Sequence, residues 1–220
     1  MLTELFGKKL QMTQLWNDAG EVVPVTVLQA GPCQVVQVKT EESSDGYRAA
    51  QIAFDAVSLG RNDMTAKKTP RVNAPRMGHF RTHSAEPAKM LGEVPLPEGV
   101  EVKPGDVITV SIFGSIKKVD ISGKSKGRGF AGVIKRHNYS RGPKSHGSKH
   151  YRAPGSTGMH QGLSRVRKGK PMPGQYGAEA TTAKNLEVIK VDVDRNLLYV
   201  KGAVPGPSGG YLRIRKSKTA

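Results

Sequence analysis

The sequence predicts a mainly β protein: a small antiparallel barrel or sandwich as the body, carrying a long, basic, largely irregular extension. Three observations predict it. Short β-branched runs bounded by Gly, Pro, Asn and Asp recur in the first half and again at the C-terminus. No regular alternation of strands with long helical patterns occurs, as a parallel α/β sheet would require. Between the two β-rich parts lies Ile121 to Ala178, 58 residues holding 13 Lys or Arg, 12 Gly and no Asp or Glu.

Met1 to Leu10 reads as a short lead, and Met12 to Trp16 as the approach to a turn at Asn17-Asp18-Ala19-Gly20. Val22 to Leu28 is β-branched and predicts a strand, with Pro24 placing it at an edge or near a strand start. Gly31-Pro32 marks a turn. Cys33 to Lys39 alternates, with Val36 and Val38 on one face, and the two runs together read as a hairpin. Arg48 to Phe54 predicts a third strand with Ile52 and Phe54 as its apolar face. Arg61 to His83 holds six bases against Asp63 alone, and Pro70 and Pro75 argue against a long helix. It reads as a basic surface loop, either a second RNA contact through Lys67, Lys68, Arg71, Arg76 and Arg81 or a solvated charged loop. Glu86 to Leu91 suggests one or two helical turns. Val107 to Phe113 and Ser115 to Ile121 read as strands. After the basic stretch, Asn185 to Asp192, the turn Asp194-Arg195-Asn196 and Leu197 to Lys201 form the clearest hairpin in the chain, and Tyr211 to Arg215 reads as a closing strand. The expected domains are 1–120 with 179–220 as one β-rich body, and 121–178 as the extension.

The formal net charge is +17, from 35 bases and 18 acids. Without the 58-residue stretch, 22 bases and 18 acids remain, or +4. A segment this basic repels itself, and its Gly content makes it costly to order alone. A polyanion supplies the missing counter-charge. The extension is therefore expected to be disordered in the free chain and ordered on RNA. An anionic membrane is the weaker alternative. No run of about 18 apolar residues exists, and Gly and Pro break the basic stretch too often for an amphipathic helix. Met1 to Leu10 lacks the apolar core of a signal peptide. Cys33 is the only cysteine, which excludes an internal disulfide framework and cysteine-cluster zinc sites. A reducing cytoplasm is the simplest compartment.

Gly127-Arg128-Gly129-Phe130-Ala131-Gly132 matches G-x-G-x-x-G. A dinucleotide site also needs a preceding strand, a following helix and an acid about 20 residues on. No acid occurs between Asp120 and Glu179. Glycines here suit a close approach of backbone to phosphate. His146 and His150 are four apart, but Gly147 and Ser148 disfavour a helix and no carboxylate accompanies them. No metal and no other cofactor is expected. His137 and Tyr139, among Lys135, Arg136 and Arg141, are candidates for stacking on bases or packing on sugars. Equally, Tyr139 could pack on its own loop. Ser, His and acids are present, but no nucleophile elbow or metalloprotease spacing occurs, so an enzyme is not expected. The rival classes are a nucleotide-binding or RNA-modifying enzyme using residues 127–132, and a transient RNA chaperone or DNA-binding protein.

Several blocks resemble the bacterial-type family of large-subunit ribosomal protein L-three. These are Gly7-Lys8-Lys9 with Met12-Thr13 and Pro24-Val25-Thr26-Val27, Asp45-Gly46-Tyr47-Arg48-Ala49, and Gly78-His79-Phe80. The most specific run from Lys118 to Gly132 and from Lys168 to Gly174, and Asn185 to Leu198 with Lys201 to Gly206 complete the match. Leu10-Gln11 departs from the family's usual Val-Gly. The resemblance implies a translation-protein-like β-barrel body and a loop threaded into large-subunit rRNA towards the peptidyl-transferase region. It also implies an early role in subunit assembly on a cytoplasmic ribosome, with neighbouring large-subunit proteins as partners. The rRNA-binding candidates are Lys124, Lys126, Arg128, Lys135, Arg136, His137, Tyr139, Arg141, Lys144, Lys149, Arg152, Arg165, Arg167, Lys168 and Lys170. Some family members carry an N-methylated glutamine in the extension. Gln161 is in the similar place, although Met159-His160-Gln161-Gly162 departs from the usual pattern, and a glutamine methyltransferase would then be a partner.

Overall fold

The computed structural model describes residues 2–43, 45–57 and 72–219. The chain is mainly β and divides into two compact units, Met1–Lys124 with Ala180–Ala220, and Ser125–Glu179.

In the first unit six strands form a ring: β1 (Glu4–Trp16), β2 (Val22–Ala30), β7 (Lys118–Lys124), β10 (Ala180–Asp192), β11 (Leu197–Lys201) and β12 (Tyr211–Lys216). Their order is β1-β12-β7-β10-β11-β2, every pairing is antiparallel, and β2 returns to β1, so the ring closes. Closure removes the unpaired edges that an open sheet would present. A second sheet, in the order β5-β4-β3-β6, contains β3 (Cys33–Lys39), β4 (Ala49–Ala56), β5 (Ala88–Pro95) and β6 (Val107–Ile108).

One apolar cluster spans both sheets. Leu5, Leu28, Leu198, Val200, Leu212 and Ile214 from the ring meet Val35, Ile52, Phe54 and Phe113, each with at most 2% of its surface exposed. A smaller cluster forms on the other face of the second sheet, where α1 (Ala74–Thr82) lays Phe80 against Val36, Ala53 and Ala88. Ordinary alternation lets β3 serve both clusters, Val35 facing the larger and Val36 the smaller, and a bulge between Val35 and Gln37 shifts the alternation so that Val38 packs on the larger cluster. Val36 and Val38 therefore do not share a face as the alternation suggested.

Polar groups join the layers. Arg213 Nε donates to Glu4 Oε2 at 2.6 Å while its Nη2 donates to the Glu93 carbonyl at 3.1 Å. Asp55, at positive φ, accepts from Lys89 Nζ at 2.9 Å and Tyr211 Oη at 2.7 Å. Burial alone would raise the Asp55 carboxyl, but these two hydrogen bonds together with the charges of Lys89 and Lys8 outweigh it and hold the group below its ordinary value. Burial, then the bond to Asp55, pushes the Tyr211 phenol up to about 12.

Four of the expected elements need correction. The lead at Met1 to Leu10 is largely strand, because β1 starts at Glu4 and pairs with β12 and then β2. Within it Lys9 is buried and donates to the Val204 and Gly206 carbonyls at 3.0 and 3.2 Å. The runs β2 and β3 are not a hairpin: β2 pairs with β1 and β11, and β3 with β4 and β6. Glu86 to Leu91 is not helical, since Ala88 begins β5, which pairs with β4 along its length. Val107 to Phe113 is a two-residue strand followed by a 3-10 turn at Val110–Phe113.

Within the basic loop read at 61–83, residues 61–71 lie outside the described residues, and with them Lys67, Lys68 and Arg71. The part that follows is helix α1 rather than loop. Pro75 is at its first turn, where a missing N–H costs nothing, so the proline that argued against a long helix starts this short one.

Candidate nucleic-acid interface

Strands β7 and β10 pair Lys124 with Ala180, so the intervening segment leaves and rejoins the first unit at one end of one ladder. The second unit continues this pairing briefly. Ser125 N donates to the Glu179 carbonyl at 2.9 Å and Arg128 N to the Tyr176 carbonyl at 2.9 Å. Then β8 (Gly129–Ala131) pairs with β9 (Gly174–Tyr176). Gly177 is required in this stem. Its φ is +71°, and a Cβ there would collide with the Lys126 carbonyl. Two short helices, α2 (Val133–His137) and α3 (His160–Leu163), interrupt an otherwise irregular path.

Eleven of the thirteen bases are exposed; Arg136 and Lys170 are half-buried. Lys124 ends β7, Lys126 and Arg128 lead into β8, and Lys135, Arg136 and His137 form the last turn of α2. Arg141, Lys144, Lys149 and Arg152 follow on irregular backbone, and Arg165, Arg167, Lys168 and Lys170 come after α3. Among the described residues, no ion pair involves any of these thirteen bases. The cause is in the sequence, since Glu179 is the unit's only acid. Their counter-charge must come from solvent ions or a bound polyanion.

Some candidates are brought together. Arg136 Nη1 donates to the Met172 carbonyl at 2.8 Å, and His137 Nε2 lies 3.1 Å from the same oxygen. The Arg136 guanidinium fills the space a side chain at Gly174 would need, so this arginine braces the fold of the unit. The rings of His137 and Tyr139 lie 6.4 Å apart at 53°, and Tyr139 is half-buried. Arg165, Arg167 and Lys170 converge with Ser156 and Thr157 around a hollow of about 280 Å³. Gln161 is exposed on α3. In the first unit Arg81 is exposed, whereas Arg76 is half-buried and donates to the Lys89 carbonyl at 3.3 Å.

The motif 127–132 is not arranged for a dinucleotide. Its second glycine opens β8, and the helix that follows has five residues. His146 is at positive φ outside any helix, and no group of three or more His, Cys, Asp or Glu able to hold a metal occurs among the described residues. No helix among the described residues is long and apolar enough to cross a membrane.

Three aromatics were missed. Phe130 is 80% exposed on β8. Arg128 lies over the Tyr176 ring at 5.1 Å, and Arg141 lies over Tyr151 at 5.6 Å while donating to its hydroxyl at 2.9 Å. Each pair orients a planar guanidinium that stays exposed. Phe130 could have been found as the one phenylalanine in an acid-free, Gly-rich stretch. The two pairs could not, because their members are ten or more residues apart on irregular backbone.

Fold and segment together define a class: a β protein carrying a cation-dense insertion whose bases have no ion-pair partner among the described residues. Known proteins narrow this class. The model of the family described as Ribosomal protein L3 matches residues 101–194. Large ribosomal subunit protein uL3 of Pelotomaculum thermopropionicum is 50% identical over 216 residues, covering 98% of this chain and 97% of that protein. The uL3 proteins of Thermotoga petrophila and Natranaerobius thermophilus are 46% and 45% identical, over 97% and 100% of this chain and 97% and 99% of theirs. The chain belongs to the uL3 family of large-subunit ribosomal proteins.

Proposed function

We propose that the chain is a structural constituent of the large subunit that binds 23S-type rRNA directly, and is not an enzyme. The observation that carries this reading is the set of eleven exposed bases with no carboxylate partner among the described residues. Placed against converging RNA helices they neutralise phosphates and release counterions. Their number supplies affinity, and the path of the backbone supplies position. Specificity then comes from RNA shape and unpaired bases, for which Phe130 and Tyr139 are stacking candidates. The closed ring is read as a small antiparallel β-barrel of the translation-protein kind that docks the body. Residues 121–178 act as the extension, ordering on rRNA and running towards the peptidyl-transferase region of the cytoplasmic ribosome. Early binding of this kind nucleates subunit assembly. Arg81, with Lys67, Lys68, Arg71 and Arg76, is a secondary contact. Gln161 is exposed enough for a glutamine methyltransferase to reach, and a native peptide carrying unmodified Gln161 would remove that part of the reading.

The test deletes Arg136 to Arg165, bridges the gap with Gly-Ser, and follows the tagged protein through a sucrose gradient. The expected result is entry into large-subunit particles that mature slowly or translate poorly. Protein remaining at the top of the gradient would overturn the division of labour between body and extension.

A further inference from the structure

The distal half of the β1–β2 hairpin stands apart from the rest of the first unit. β1 pairs with β12 only from Glu4 to Lys8, and β2 pairs with β11 only from Val25 to Gln29. Beyond those points Gln14–Trp16 and Val22–Pro24 pair with each other. A two-stranded ribbon of this kind is marginal alone. Strand alternation and the cross-strand pairs Met12–Thr26, Gln14–Pro24 and Trp16–Val22 put Met12, Trp16 and Val22 on one face. They are 53%, 70% and 47% exposed. Trp16 is the chain's only tryptophan.

The turn is closed by hydrogen bonds within the chain itself. Asn17 Nδ2 donates to Glu21 Oε2 at 2.9 Å, and Glu21 N donates back to Asn17 Oδ1 at 2.7 Å. Preorganisation lowers the entropy cost of docking. Charge then selects the occupant. Residues 10–38, 29 in all, contain no Lys, Arg or His in a chain of net charge +17, and their only charged groups are Asp18 and Glu21, both at this turn. An RNA backbone would be repelled there, whereas a basic polypeptide would be attracted.

We propose that this hairpin face is the docking surface for a Lys/Arg-rich segment of a neighbouring large-subunit protein. Trp16 and Met12 are the apolar anchors, and Asp18 and Glu21 the charged rim. The exposed edge of Leu10–Trp16 lets that segment add as an extended strand. The proposal rests on the chain being a large-subunit constituent.

The test replaces Trp16 by photoreactive benzoylphenylalanine in the full chain, incorporates it into large subunits in cells, irradiates purified subunits and identifies what is joined. A parallel preparation carries the same probe at Phe130. The expected result is attachment at position 16 to a basic peptide of another large-subunit protein, and at position 130 to rRNA. In particles that contain the chain, attachment of position 16 to rRNA, to a second copy or to nothing would overturn the proposal. Position 130 silent with position 16 joined to a protein would count against the RNA reading and leave the docking claim standing. Asp18→Asn with Glu21→Gln should lower the yield at position 16 several-fold without changing the amount of chain in the subunit. An unchanged yield would overturn the charge argument.

Discussion

Replacing Arg165, Arg167 and Lys168 by Gln should flatten the salt dependence of rRNA binding. All three are exposed and none is in an ion pair among the described residues, so the change removes charge without breaking a bridge seen there. If about eight of the eleven exposed bases meet phosphates, log affinity falls against log salt with a slope of about −6 to −7. Raising salt fourfold, from about 50 to 200 mM, then costs about 10³–10⁴ in affinity. With three contacts gone the slope is about −4, and the same step costs about 10²–10³. The assay is a fluorescence anisotropy titration of labelled full chain with in vitro transcribed large-subunit rRNA at a series of salt concentrations. Lys103→Gln, an exposed base of the first unit, is the control and should leave the slope unchanged. A triple variant with the wild-type slope, or a control that shifts as far, would refute the reasoning.

Gly177→Ala puts a Cβ against the Lys126 carbonyl at a φ of +71°. It should cost roughly 1–3 kcal/mol wherever the stem forms, weakening rRNA affinity about fivefold or more with no change in salt slope, measured by the same titration. Tyr211, raised in the folded state to about 12 from 10.0, contributes stability that is complete below pH 10 and lost as pH rises through about 12. Asp55, lowered from 3.8, contributes stability present above that value and lost as pH falls through its folded value. Denaturant unfolding should show a smaller alkaline loss in Tyr211→Phe than in wild type, the part that remains including that of Cys33. Cys33 is fully buried, and burial pushes its thiol up to about 12, so a disulfide reagent at pH 8 should label it only when the core opens. Prompt stoichiometric labelling of the folded chain would contradict that packing.

Legibility followed how local the cause of each element was. The hairpin β10–β11 and strand β12 were plain because alternation and turn residues sit side by side in sequence. Strand β1 was hidden behind Gly7-Lys8-Lys9, since the carbonyls that receive Lys9 come from residues 204 and 206. The false β2–β3 hairpin had correct strands and a correct turn at Gly31-Pro32. What it lacked was any local sign that the chain passes there from the ring to the second sheet. Helix α1 was lost by reading Pro75 as a breaker rather than a start. In the segment, composition exposed the bases at once. It could not show that Arg136 turns inward to Met172, a contact 36 residues away.

The central claim is that the acid-free segment is the principal rRNA contact. Ultraviolet cross-linking of large subunits that contain this chain, with the joined peptides identified by mass spectrometry, tests it most directly. The account predicts RNA adducts concentrated between Lys124 and Lys170, and none on the hairpin from Leu10 to Pro24. Adducts confined to the first unit, with residues 124–170 recovered unmodified, would contradict it.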